Sequence, residues 1–82
     1  MQQKVYTIRD SKGEFYGAPF TKQTHGEAER TFHQLKKDDK TPIFQYPEDF
    51  DLYYIGEFDN LTGKLTGIDT PQHMIKAVNL PS

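Results

Sequence analysis

The sequence predicts an α+β fold, in which a small antiparallel sheet of two hairpins packs on one main α-helix. Three observations predict this class. Segments 4–10 and 51–59 are rich in β-branched and aromatic residues, which favour strands. Turns at 11–14 and 60–63 contain glycine and connect each strand to a second extended segment. Between the hairpins, residues 21–40 show helical periodicity.

The first hairpin begins with KVYTIRD, residues 4–10. Side chains alternate between the two faces of a strand, so Tyr6 and Ile8 share one face. The return segment, 14–20, contains Pro19, which lacks a backbone N–H for sheet pairing. We therefore expect an edge strand or an extended loop there.

The helix is expected to start at Thr24, because Thr24 and Glu27 have the spacing of a capping box. Ala28 and Phe32 then fall on one face, which we expect to be buried. The helix must end before Pro42, because the residue preceding proline disfavours the helical conformation.

Residues 42–50 show no regular periodicity, and we expect an irregular segment whose apolar side chains lie over the core. Those side chains are Ile43, Phe44 and Tyr46.

The C-terminal segment, 70–80, fits two structures. Thr70 and Pro71 suit the start of a short C-terminal helix. The alternation of Met74 and Lys76 suits a strand equally well. Periodicity does not choose between them in so short a segment.

The composition predicts a single domain, 1–82, with a small core. The chain has 82 residues, 34% of them hydrophobic, and no cysteine. A chain of this length without disulfides or metal often gains stability by association, so we expect a homo-oligomer. No apolar run approaches the length of a membrane span and no leader is apparent, so we expect a cytoplasmic protein without membrane contact.

Patterns typical of enzymes are absent from the sequence. It has no cysteine, no Gly-x-Ser-x-Gly nucleophile motif and no phosphate-binding glycine loop. His25, Glu29 and His33 recur every four residues, but such a trio is usually a solvated helix face and lacks the fourth ligand of a structural zinc site. We expect no catalytic residue, no cofactor and no metal.

Basic and aromatic residues alternate in the first part of the chain. Residues 1–24 carry four bases against two acids, a net charge of +2, although the whole chain carries −2. Non-specific single-strand binding uses rings that stack on bases and cations that follow phosphates. The alternative is that the rings form the core and the lysines serve solubility. The candidate nucleic-acid-binding residues are Lys4, Tyr6, Arg9, Lys12, Tyr16, Lys22 and Arg30.

A second unusual stretch, residues 47–63 (PEDFDLYYIGEFDNLTG), contains five acids and no base. The structural explanation is a strand whose carboxylates lie at its ends and wet edges. The functional alternative is a surface complementary to a basic partner. Its residues would be Glu48, Asp49 and Asp59.

Several of these segments together resemble one protein family. VYTIRDSKGEFYGAPF, GEAERTF and above all PEDFDLYYIGEFDNLTGK are similar to the small non-structural protein of gokushoviruses, single-stranded-DNA phages of the Microviridae. The resemblance covers roughly residues 4 to 78, and no catalytic motif comes with it. It implies a viral accessory protein of the bacterial host cytoplasm, acting in genome synthesis or packaging.

Two mechanisms follow from the residues and the resemblance together. The first, which we favour, is direct binding of single-stranded DNA by the basic and aromatic residues of the N-terminal half. The second is an adaptor that docks on a viral replication or capsid-assembly protein through the acidic region, 47–59.

Overall fold

The computed structural model describes residues 2–81. Five strands, two α-helices and two short 3-10 turns follow one another along this part of the chain. They are β1 (Gln2–Asp10), β2 (Phe15–Tyr16), β3 (Phe20–Lys22), α1 (His25–Lys37), α2 (Pro42–Gln45), a 3-10 turn (Pro47–Asp49), β4 (Phe50–Asp59), β5 (Leu65–Lys76) and a second 3-10 turn (Ala77–Asn79).

All five strands belong to one antiparallel sheet with the order β2-β1-β4-β5. β1 pairs along its whole length with β4, from Gln2 opposite Asp59 to Asp10 opposite Phe50. Its other edge pairs with β2 and, closer to its start, with β3. The prediction of a small sheet of two hairpins packed on one main helix is wrong, because strands predominate over helices. One curled five-stranded sheet dominates the fold, and the helices beside it are short.

The C-terminal segment is strand through Lys76, so the alternative of a helix at 71–80 is wrong apart from a single 3-10 turn. Pro71 is compatible with this strand because β5 lies at the edge of the sheet, where one row of backbone groups needs no partner. The pairing with β4 is interrupted by bulges, since Gly67 lies opposite Gly56 and Gln72 lies opposite Tyr54.

The bulged region brings two backbones close together at Gly56. A Cβ atom on Gly56 would lie 2.3 Å from the carbonyl oxygen of Thr66. A Cβ on Gly67 would meet nothing closer than 3.8 Å. Glycine is thus required on β4 and optional on β5.

Helix α1 begins as its sequence predicts. The Thr24 side chain accepts a hydrogen bond of 3.1 Å from the backbone N–H of Glu27. The helix buries Ala28 and Phe32, each with no exposed surface, and ends at Lys37. The capped start and the buried face are confirmed.

The core lies between one face of the sheet and the helical segments. Tyr6, Phe32 and Leu52 are its largest fully buried side chains. Within 42–50, Ile43 is buried, but Phe44 and Tyr46 are 49% and 53% exposed. The expectation that these two rings cover the core is wrong, because α2 is a single turn that directs Ile43 inward. The remaining members of the core cluster are Ala28, Phe50, Ala77 and Leu80.

Candidate nucleic-acid interface

The face of the sheet opposite α1 carries an aligned group of polar and aromatic side chains. Since Leu52 faces the core, its neighbours Asp51 and Tyr53 face the other way. In the sheet register Arg9 lies opposite both Tyr16 and Asp51. We call this surface the open face and define it by Arg9, Tyr16, Asp51, Tyr53, His73 and Lys76.

Three rings on the open face form a continuous track across the sheet. The ring centroids of Tyr16 and Tyr53 are 5.4 Å apart at an interplanar angle of 78°. Those of Tyr53 and His73 are 5.3 Å apart at 81°. These edge-to-face contacts are a favoured arrangement of aromatic pairs. Tyr16 is 46% exposed and the His73 side chain is also 46% exposed, so both ends of the track face solvent.

The small side chain of Thr7 lies in the strand between the first two rings. Thr7 is opposite Tyr53 in the register and is buried, with its hydroxyl donating to the carbonyl of Gly17 at 2.7 Å. The segment that follows β2 is thereby held against β1 by a side-chain hydrogen bond.

A cation lies at each end of the ring track. The guanidinium carbon of Arg9 is 5.6 Å from the centroid of the Tyr16 ring, within cation–π range. At the other end, Nζ of Lys76 lies 3.5 Å from Oδ2 of Asp51. The same oxygen accepts a 2.6 Å hydrogen bond from Nε2 of His73. Asp51, which is only 9% exposed, therefore holds both His73 and Lys76 in position through its carboxylate.

Tyr6, which the sequence suggested as a base-stacking ring, lies in the core with no exposed surface. Its hydroxyl lies 2.7 Å from Nδ1 of His25, and burial raises the pKa of Tyr6 to about 12. A buried ring presents no face to a base, so Tyr6 is not part of the open face.

The other predicted cations are dispersed. Lys4 lies opposite Lys22 between β1 and β3, and Nζ of Lys4 is 4.0 Å from a carboxylate oxygen of Glu57. Lys12 is exposed in the turn after β1. Arg30 is exposed on α1, which covers the opposite face of the sheet. Of the seven predicted residues, the structure brings Arg9 and Tyr16 together on the open face.

The three acids proposed for a partner surface are separated by a whole strand. Glu48 and Asp49 lie in the 3-10 turn before β4, whereas Asp59 is the last residue of β4. Ten residues of extended chain span about 30 Å, so these acids do not form one surface. Asp59 also caps the following turn, and the hydrogen bond from the backbone N–H of Leu61 lowers the pKa of its carboxyl group.

Glu57 has a structural explanation as well. The hydroxyl of Tyr54 donates a hydrogen bond to Glu57, and this contact raises the pKa of Tyr54 to about 12. The Glu57 carboxylate also contacts Lys4, so both of these contacts are made within the protein.

Comparison with known proteins assigns the chain to a family. The family model described as Phage ORF5 protein matches residues 3–80. The chain belongs to the Phage ORF5 protein family. Protein ORF5 of Chlamydia phage 1 is 36% identical over 73 residues, which cover 84% of this chain and 76% of that protein. The resemblance to a small gokushovirus protein is therefore confirmed. No solved structure matches the chain.

For this Phage ORF5 family member, sequence analysis missed four residues of the open face. Asp51, Tyr53, His73 and Lys76 come from β4 and β5, far in sequence from Arg9 and Tyr16. The alternation in β4 places Tyr53 on the face opposite Leu52, which was an available signal. His73 and Lys76 required the register of β5 with its bulges, which no local pattern encodes.

Two further properties of the family member bear on its function. No helix among residues 2–81 is long and apolar enough to cross a membrane. The two histidines of the trio His25, Glu29 and His33 on α1 make separate contacts: His25 lies against Tyr6, whereas Nε2 of His33 is 2.8 Å from the carbonyl oxygen of Pro81.

Proposed function

We propose that this phage protein is a non-enzymatic accessory protein that binds single-stranded DNA on the open face of its sheet. It would act in genome synthesis or packaging within the bacterial host cytoplasm. The observation that carries the proposal is the ring track of Tyr16, Tyr53 and His73, with Arg9 and Lys76 at its ends.

The chemistry of the open face suits single strands rather than duplexes. Unpaired bases have accessible π-faces, and the exposed rings of Tyr16 and His73 offer stacking partners. Sheets with exposed aromatic residues commonly stack about two or three bases in this way. The side chains of Arg9 and Lys76 are long enough to follow the phosphates beside those bases. With a net charge of −2, the chain lacks the basic character that duplex binding requires.

A titration of fluorescein-labelled oligothymidylate, followed by anisotropy at low salt, tests the proposal. Removing one stacking ring costs about 1–3 kcal/mol, so Tyr16→Ala should weaken binding by roughly 5- to 150-fold. Phe15→Ala is the matched control, since Phe15 is the neighbouring residue of β2, is 55% exposed and points to the other face. Absence of binding at low salt, or equal losses in both variants, would reject the proposal.

The salt dependence provides an independent test. Each phosphate contact to a single strand contributes about −0.7 to the slope of log K against log salt concentration. Two cations, Arg9 and Lys76, should therefore give a slope near −1.4. Arg9→Gln should reduce its magnitude by about half, whereas Arg30→Gln on the opposite layer should leave it unchanged. Equal effects of the two variants would place the DNA elsewhere.

A second candidate function is an adaptor that docks on a basic viral replication or capsid-assembly protein. It is favoured by the position of Glu48 and Asp49 beside a groove with aromatic walls formed by Tyr46 and Phe50. Reversing the charge of Glu48 and Asp49 together should abolish capture of such a phage protein. A control reversal at the exposed Asp69 of β5 should leave capture intact.

A further inference from the structure

Two grooves flank one short segment, residues 42–50, which contains α2 and the 3-10 turn. The first, the acidic groove, lies on the side of the turn after β1. The second, the basic groove, lies on the side of the end of α1. The acidic groove is lined by Asp10, Lys12, Pro42, Tyr46, Glu48, Asp49 and Phe50. The basic groove is lined by Lys36, Lys37, Phe44, Pro47 and Val78.

The two grooves carry opposite charge. Three carboxylates and one ammonium group line the acidic groove. Two ammonium groups and no carboxylate line the basic groove. Lys36 is already hydrogen-bonded within the chain, since its Nζ donates to the carbonyl oxygen of Leu80 at 2.5 Å. Lys37 and Glu48 are both exposed, and neither forms an ion pair within residues 2–81.

Apolar surface is exposed between these charges. Phe44 is 49% exposed, Tyr46 is 53% exposed and Val78 is 47% exposed. Two of the seven large hydrophobic side chains that are exposed in the described chain therefore lie in segment 42–50, and a third, Val78, lines the basic groove beside it. Each would be stabilised by removal from water, and a contiguous exposed apolar patch commonly marks an interaction surface.

We propose that this surface binds a second copy of the chain across a two-fold axis, with Lys37 of each copy facing Glu48 of the other. A patch with positive charge on one side and negative charge on the other becomes complementary to itself when a two-fold axis crosses its middle. The residues of segment 42–50 lie at that middle, so Phe44 and Tyr46 of the two copies pack together there. This is an isologous interface, in which each contact occurs twice.

Charge complementarity favours a second copy over a foreign partner. A basic protein would match the acidic groove and be repelled by Lys36 and Lys37, whereas a second copy matches both sides at once. The dimer also supplies additional apolar burial to a chain of 82 residues without cysteine. The open face belongs to the sheet and shares no residue with either groove.

Sedimentation equilibrium of the full chain tests the proposal without any DNA. The wild-type protein should be dimeric, and Lys37→Glu or Glu48→Lys alone should raise the dimer dissociation constant by about tenfold or more, because each reversal replaces two attractive contacts with two repulsive ones. In an equimolar mixture, the dimer that contains one copy of each variant should regain wild-type affinity, since both of its charge pairs are again of opposite sign. Lys64→Glu, in the exposed turn after β4, is the control and should change nothing.

A second pair of variants separates apolar burial from misfolding. Phe44→Ser should give a monomer with an unchanged circular dichroism spectrum. Leu61→Ser, at a residue that is 83% exposed in the turn between β4 and β5, should remain dimeric. A wild-type monomer at all concentrations overturns the proposal, as does a mixture of charge variants that fails to recover. Neither result affects DNA binding by the open face, which is measured separately.

Discussion

The Asp51 carboxylate accepts a 2.6 Å hydrogen bond from Nε2 of His73 and lies 3.5 Å from Nζ of Lys76. Asp51 is largely buried, whereas both of its partners are about half exposed. One buried carboxylate therefore positions the two β5 side chains of the open face, His73 and Lys76.

We expect Asp51→Asn to lower the free energy of unfolding by about 1–3 kcal/mol, because it weakens a charge-assisted hydrogen bond at a buried site. Urea denaturation at neutral pH measures the change. Asp69→Asn, an exposed position on the same strand as His73, is the control and should stay within about 0.5 kcal/mol of wild type. Equal stability of Asp51→Asn and wild type would show that the carboxylate does not anchor β5.

Alkaline pH should destabilise the fold through Tyr6 and Tyr54. Both have a folded-state pKa raised to about 12, Tyr6 chiefly by burial and Tyr54 chiefly by its hydrogen bond to Glu57. A raised tyrosine pKa means that the folded state favours the neutral form. The resulting stability is fully present below about pH 10 and is lost as the pH rises towards 12.

Urea midpoints measured from pH 8 to pH 11.5 test this prediction. Tyr6→Phe should lower stability at pH 8, because the contact with His25 is lost, and should flatten the decline above pH 10. Tyr16→Phe, at an exposed ring outside both grooves, should follow the wild-type curve. A wild-type midpoint that does not fall above pH 10 would contradict the argument.

Gly56→Ala should destabilise the protein by about 1–3 kcal/mol, the usual effect of overpacking. The added methyl group would lie 2.3 Å from the carbonyl oxygen of Thr66 and force the backbones of β4 and β5 apart. Gly67→Ala is the matched control across the same pair, where the nearest atom is 3.8 Å away. Thermal unfolding of the two variants should give clearly different midpoints, and identical midpoints would refute the close approach.

Thr24→Ala should reduce stability by about 1 kcal/mol, because the first turn of α1 loses the acceptor for the Glu27 N–H. Gln23→Ala, one residue earlier and exposed, is the comparison and should be nearly neutral. The difference in unfolding free energy between the two variants isolates the cap. If the variants are equally stable, the cap contributes nothing measurable.

Local features of the fold were predictable from the sequence, since each arises from neighbouring residues. The Thr24 cap, the buried face of α1 and the strand at 51–59 depend on patterns within a few residues. Arg9 and Tyr16 meet because a short turn joins their strands. For the same reason, they are the two residues of the open face that were identified in advance.

Long-range pairing was not predictable in the same way. The merging of the hairpins depends on the pairing of β1 with β4, whose first partners, Gln2 and Asp59, are 57 residues apart. The position of His73 beside Tyr53 depends on bulges in β5 that shift the register. A shift of one residue moves a side chain to the other face, so such details decide which residues share a site.

The central position of β1 affects how the protein is made. A nascent chain can form β1, β2 and β3 soon after synthesis, but the second edge of β1 stays unsatisfied until Phe50–Asp59 has left the ribosome. An open edge can pair with another chain, and distant pairing is slow. Translation that stops before β4 would therefore release an aggregation-prone fragment, because β1 acquires its second neighbour only from β4.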